Sequence, residues 1–145
     1  MSYRSEIAIR LELPKGMKSE DILEKIEEYT DMKAEKLFDK VLVEKISENL
    51  NLEIILLYHS YIEWRTDFYE IKAFENFLSW YNEIIDNNER LLDTDKFYVE
   101  DNLNFHFCGA YHFIRIGENI DDIEERCYGN LWDYIEIERK INLNI

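Results

Sequence analysis

One stretch of the C-terminal half has the residue types and spacing of a metal site: His106-x-Cys108-x-x-x-His112. A thiolate and two imidazoles can hold zinc, and a closed tetrahedral site would draw its fourth ligand from another segment, where Cys127 is available. The same positions stand among Phe105, Phe107, Tyr111 and Phe113. That aromatic setting belongs to a packed core, so the spacing is assigned to packing, with no metal and no other cofactor. Cys108 or Cys127 beside a histidine would also suit nucleophilic catalysis, but neither lies in a segment that would activate a thiol. His59 falls inside an apolar run and reads as a structural histidine. The acidic run Glu118, Asp121, Asp122, Glu124 and Glu125 lacks the glycine and the alternating ligands of an EF-hand. No P-loop, Gly-x-Gly-x-x-Gly or Gly-x-Ser-x-Gly occurs, and four glycines leave little for a phosphate cradle. No catalytic residue is assigned, and the chain is read as a non-enzyme.

Charge excludes more than the motifs do. The 145 residues carry 32 acidic and 17 basic side chains, a formal net charge of −15. Nucleic-acid binding needs a basic footprint that displaces counterions, and anionic lipid attracts basic surfaces. Neither direct nucleic-acid nor membrane binding is therefore expected. The acid is unevenly placed. Residues 1–82 have 17 acids and 11 bases, whereas residues 83–138 have 15 acids against Arg90, Lys96, Arg115 and Arg126. Met1 is followed by the polar run Ser2-Tyr3-Arg4-Ser5-Glu6, unlike a signal peptide. No apolar run nears the roughly 18 residues of a membrane span. A cytoplasmic location is expected, with Cys108 and Cys127 as free thiols.

The elements that would position these residues follow from periodicity. Hydrophobic residues make up 46% of the chain and aromatics 14%, enough for one core in one domain spanning 1–145. Tyr3–Leu13 alternates with a period of two, which predicts a half-buried strand ended by Pro14 and Gly16. Ser19 is the expected N-cap of a helix striped by Ile22, Leu23, Ile26 and Tyr29. A second helical stripe is read through Ala34, Leu37, Phe38, Val41, Leu42 and Ile46, with a break or bend at Thr30-Asp31. Ile54–Arg65 predicts a strand, apolar on both faces in its first half. Asp67 with Glu70 resembles a capping box opening a helix over Asp67–Ile85. A short strand is placed at Phe97-Tyr98-Val99. Ala110–Ile116 and Leu131–Ile141 complete the strands, joined by an acidic connection. The expected fold is α+β: one mainly antiparallel sheet of about four strands, with two or three helices on one face.

Two segments carry a resemblance. Ser2-Tyr3-Arg4-Ser5-Glu6-Ile7-Ala8-Ile9 resembles the opening of a group of small, uncharacterised phage and prophage proteins, which begin Tyr-Arg-Ser-Glu/Asp-Val-Ala. Phe113-Ile114-Arg115-Ile116-Gly117-Glu118, followed by Asp121-Asp122-Ile123-Glu124, is similar to their C-terminal Phe-Ile-Arg-Ile-Gly-Glu-Asp…Asp-Ile-Glu pattern. Ile62-Glu63-Trp64 is similar to their aromatic middle strand. Asn119 departs from that pattern, and residues 86–107 read as an insertion. The resemblance implies a phage context and no particular reaction. Arg4 and Arg115 sit in the two matching segments, where adjacent strands would pair them with Glu6 or Glu118.

The expected function is that of a phage or prophage accessory protein that binds a protein partner with a basic surface. Its most concrete form is an acidic inhibitor of a host defence nuclease, anti-CRISPR-like, with carboxylates spaced as a nucleic-acid mimic. The expected interaction face is Glu118, Asp121, Asp122, Glu124, Glu125, Glu136 and Glu138, which would line one edge of the sheet. The alternative is a small structural or self-associating domain with homo-oligomers as its product. A thiol- or metal-dependent enzyme comes third.

Overall fold

The computed structural model describes residues 4–47, 52–93 and 107–137. Strand β1 is Ser5–Glu12, and the alternation that predicts it is the alternation it shows. Ile7, Ile9 and Leu11 are fully buried on one side, while Glu6, Ala8 and Arg10 face the other. Lys15 N–H donates to the Phe107 carbonyl beyond Pro14, and Gly16 takes a φ of 86° in the turn. Helix α1 then runs Ser19–Thr30. Ser19 is its first helical residue and does not cap it. Its N–H, which has no partner within the helix, donates instead to the Glu53 carboxylate at 2.9 Å. The expected break at Thr30-Asp31 is present. Asp31 adopts the left-handed region at φ 57°, and Thr30 Oγ1 donates to the Ile26 carbonyl.

The second helical stripe is a correction. Ala34–Leu37 makes one turn, α2, and the chain then becomes strand β2 over Lys40–Ser47. Apolar residues at 41, 42 and 46 fit a helical stripe, but Val41, Val43 and Ile46 are β-branched and stiff at χ1. Strand β3, Leu52–Ile62, also needs a hydrogen-bonding neighbour on each side, and β2 supplies one. Asp67 is a second correction. Its carboxylate holds the Arg65 guanidinium at 2.8 Å instead of capping a helix. Helix α3 starts at Tyr69 and continues to Asp93, beyond the expected end at Ile85. The first eight residues of the segment read as an insertion, 86–93, are thus helix, and Phe97-Tyr98-Val99 lies outside the described residues.

Strand β4 is Ala110–Gly117, as expected. Its antiparallel partner is β5, Ile123–Gly129, inside the segment read as an acidic connection. The expected strand over Leu131–Ile141 is not formed in its described part, since residues 131–137 have no regular structure. Charge on both sides of β5 masked its alternation, which an edge strand with little to bury does not need. The β4–β5 pair ends where Gly129, at φ 82°, lies so close to the Gly109 carbonyl that a Cβ would stand 2.7 Å from it.

The result is one antiparallel sheet in the order β2-β3-β1-β4-β5, five strands where about four were expected. Registers place Ile9 between Leu57 and Phe113, and Leu11 between Ile55 and Tyr111. These side chains form the floor on which α1 and α3 pack with Ile22, Ile26, Phe77, Leu78, Tyr81 and Ile85. Phe74 is the centre of an aromatic chain, with ring centroids 5.2 Å from Phe38, 5.9 Å from Trp64 and 5.4 Å from Phe77. Such pairs add to plain area burial.

Truncating Phe74 to Ala opens this chain at its middle, and urea unfolding should record a loss of about 3–5 kcal/mol. Asn76→Ala, at an exposed position of the same helix, should stay within about 0.5 kcal/mol. Equal effects would contradict the placement of the helix face.

Candidate functional site

The sheet has a second face, opposite the helices, and it carries most of the unusual chemistry. From β1 it presents Glu6, Ala8, Arg10 and Glu12, from β4 His112, Ile114 and Ile116, and from β5 Ile123, Glu125 and Cys127. Residues 131–137 cross this face. Trp132 N–H donates to both oxygens of the Glu12 carboxylate, 2.9 Å from Oε2. Ile135 N–H donates to His112 Nδ1 at 2.9 Å. Tyr134 stands edge-on to the His112 ring, and Leu131 is buried. Past this crossing, Ile135, Glu136 and Ile137 wall a groove of about 420 Å³ floored by Ala8, Ile114 and Ile116. At its far side Tyr58 OH donates to the Glu6 carboxylate, which pushes the phenol pKa up to about 12.

Glu12 is only 1% exposed, and a carboxylate so placed resists ionising. Burial raises its pKa from 4.5 to about 7, against the opposing pull of the Trp132 amide and of Arg10, whose Nε is 3.8 Å away. On the helix side, Tyr81 OH donates to the backbone carbonyl of the same residue.

His112, Glu125 and Cys127 place three potential ligand atoms within 4.8 Å of one another. This set differs from the spacing singled out in the sequence. Cys108 is not in it, and His106 lies outside the described residues. His112 is only 1% exposed, and both ring nitrogens are committed. Because Nδ1 accepts the Ile135 N–H, the proton sits on Nε2 and points to Glu125 Oε1 at 2.9 Å. Metal ligation through Nε2 would move that proton to Nδ1, where it would confront another donor. The donor set therefore does not suit a metal. Cys127 is no better prepared as a nucleophile, since burial and then the neighbouring Glu125 carboxylate raise its pKa.

On the helix side of β4 and β5 lies a ladder of charges. Arg126 forks onto Glu75 at 2.8 and 2.9 Å, lies 4.0 Å above the Phe113 ring, and reaches Glu124 at 3.4 Å. Glu124 also accepts from Arg115 at 3.1 Å, and Arg115 forks onto Asp122 at 2.8 and 3.1 Å. Arg115 thus pairs with Asp122 and Glu124, where sequence reasoning named Glu6 or Glu118. Its Nη1 also reaches Ser5 Oγ, and Arg4 donates its backbone N–H to Glu118 at 2.9 Å. The two segments that carry the resemblance are therefore in direct contact.

The seven expected face residues are distributed accordingly. Glu124 points to the helix side of β5 and Glu125 to the other, because neighbours in a strand alternate. Asp122 and Glu124 are held by arginines, Glu125 by His112, and Glu118 by the Arg4 amide. Asp121 and Glu136 are exposed. Glu138 lies outside the described residues. Sequence reasoning passed over α1, where Glu20, Asp21, Glu24, Glu27 and Glu28 are all exposed. Glu20, Glu24 and Glu27 share a helix face and line one shallow groove with Glu35 and Lys33. The i, i+4, i+7 spacing was the available signal. Comparison with protein-family models, with curated proteins and with solved structures finds no match to this chain.

The buried carboxylate sets a pH dependence. With its pKa raised from 4.5 to about 7, Glu12 binds its proton more tightly folded than unfolded. Its contribution is present below pH 4.5 and is lost as pH rises through about 7. Within that window, stability should fall by about 1 kcal/mol per pH unit at most. Denaturant midpoints measured across it should flatten in Glu12→Gln relative to the unaltered chain. Parallel slopes in the two proteins would contradict the assignment.

Proposed function

We infer that the chain is a phage or prophage accessory protein that acts non-catalytically, by binding a protein partner with a basic surface. Its most concrete form is an inhibitor of a host defence nuclease whose nucleic-acid channel is positively charged. The observation that carries this reading is the outer face of α1. Glu20, Glu24, Glu27 and Glu35 converge there, four carboxylates against Lys33, and among the described residues the helix's one ion pair is Lys25–Glu28. A formal charge of −15 extends the same field over the molecule. Carboxylates arrayed in this way attract a channel built to hold phosphates, and they steer its approach. The resemblance to phage proteins supplies the biological setting, and a cytoplasmic location goes with it. The commitments of His112 and Cys127 support a binding role over a thiol or metal enzyme.

Asp121, Glu118 and Glu136, from the β4–β5 side, form the second acidic set that could meet such a partner. The two sets are separable because all six residues are exposed. The test uses a guide-loaded host nuclease and its DNA substrate at about 0.15 M salt, where charges interact over roughly 8 Å. The chain should inhibit cleavage. Glu20→Gln/Glu24→Gln/Glu27→Gln should slow association about tenfold with unchanged circular dichroism. Glu118→Gln/Asp121→Asn/Glu136→Gln should do less. A larger effect from the second triple variant would move the contact to β4–β5, and equal rates for all three proteins would rule out the acidic mechanism.

A further inference from the structure

Strand β2 is at one end of the sheet, and among the described residues no strand lies on its outer side. An exposed edge offers unpaired backbone groups to any strand that can match it. This edge is also apolar at its middle. Leu42 is 50% exposed and Val43 45%, high values for aliphatic residues in a strand. Lys40 and Glu44 flank Leu42 and are exposed as well. The register with β3 sets the faces: Lys40, Leu42 and Glu44 lie opposite Tyr58, Leu56 and Ile54, while Val41 and Val43 lie opposite Leu57 and Ile55.

We propose that β2 is a self-association edge, on which a second copy of this chain pairs antiparallel about a two-fold axis at Leu42. Two-fold pairing through the sheet normal joins like faces, so only registers that match residues of the same face are allowed. With Leu42 opposite its own equivalent, Lys40 faces Glu44 of the partner twice, and Val41 faces Val43 twice. Both faces of the new pair are then complementary, charge with charge and valine with valine. Moving the axis to Val43 places Leu42 against Glu44 and Val41 against Lys45. Moving it to Val41 places Lys40 against Leu42. An axis at Glu44 sets two like charges together. One register alone pairs every charge between Lys40 and Glu44. Lysine on an edge ordinarily repels stray strands. Here Lys40 repels them and accepts its own copy, so the sequence selects its partner.

The other edge is differently made. Strand β5 has Glu124, Glu125 and Arg126 in succession, tied to Arg115, His112 and Glu75. Dimerisation through β2 would join two five-stranded sheets into one of ten strands, with the N-terminal turn of α1 near the seam, where Glu20 shares a groove with Lys45. The dimer rests on Lys40, Leu42 and Glu44 and the binding of a basic partner on Glu20, Glu24 and Glu27, so each is tested by its own variants.

Sedimentation equilibrium of the full chain at about 0.15 M salt tests the proposal, since that salt screens the net charge of each protomer. The expected result is a concentration-dependent dimer. K40E alone and E44K alone should each weaken it at least about tenfold, because like charges then face each other twice. An equimolar mixture of the K40E and E44K chains should restore the dimer, and so should the K40E/E44K double variant. Rescue in the mixture would tie the loss to charge pairing across β2 and not to misfolding. A chain that stays monomeric at all concentrations overturns the proposal, whether the edge stays bare or takes a strand of another protein. A dimer indifferent to both single variants overturns it equally.

Discussion

A five-stranded sheet with apolar residues on both sides must cover two faces, and two long helices in this chain cover one. The other is met by residues 131–137, which have no ladder of their own and therefore depend on side chains for their backbone hydrogen bonds. Glu12 and His112 meet that need. Glu12 has a further role, because its backbone carbonyl takes the Tyr81 hydroxyl from the helix layer while its carboxylate takes the Trp132 amide from the opposite side. One residue of the central strand thus ties three layers. A buried carboxylate is costly in isolation. Here the cost is offset by two acceptor contacts and reduced by a pKa near neutrality.

That constraint shapes what the sequence could and could not reveal. β1, α1 and α3 are legible because each buries one long, regular side, so the period of the pattern equals the period of the element. β3 and β4 are legible because each is a β-branched and aromatic run buried on both faces over its first half. Strand β2 is not, since Ala34, Leu37, Phe38, Val41 and Leu42 satisfy a helical stripe across what is a turn of helix followed by a strand. Strand β5 hides because its charges answer to Arg115, Arg126 and His112 and not to solvent on one side. Residues 131–137 show the reverse error. Leu131, Ile135 and Ile137 alternate as a strand would, but a covering segment with one side against a sheet needs the same alternation. Fold class survives these exchanges because adding two strands, β2 and β5, and removing one leaves the layers unchanged.

The site was less legible than the fold. His112 was noticed for metal spacing, but its partners, Ile135 and Glu125, are set by the crossing segment and by β5, the two elements misread. Glu12 gave one local signal, a carboxylate between Leu11 and Leu13 immediately before Pro14. Net charge by segment pointed to residues 83–138, yet several acids there are spent on internal arginines. Charge counted along a chain does not subtract ion pairs, whereas among the described residues the acids of α1 form one ion pair, Lys25–Glu28. The surface field follows what remains after pairing.

The central claim is that Glu12 and His112 hold residues 131–137 on the second sheet face. Amide hydrogen exchange measures this residue by residue. The Trp132 and Ile135 amides should exchange at least about a hundredfold more slowly than that of exposed Glu136. In Glu12→Gln the Trp132 amide should lose part of that protection while β1 keeps its own. Exchange of Trp132 and Ile135 at the rate of an unstructured peptide would contradict the account.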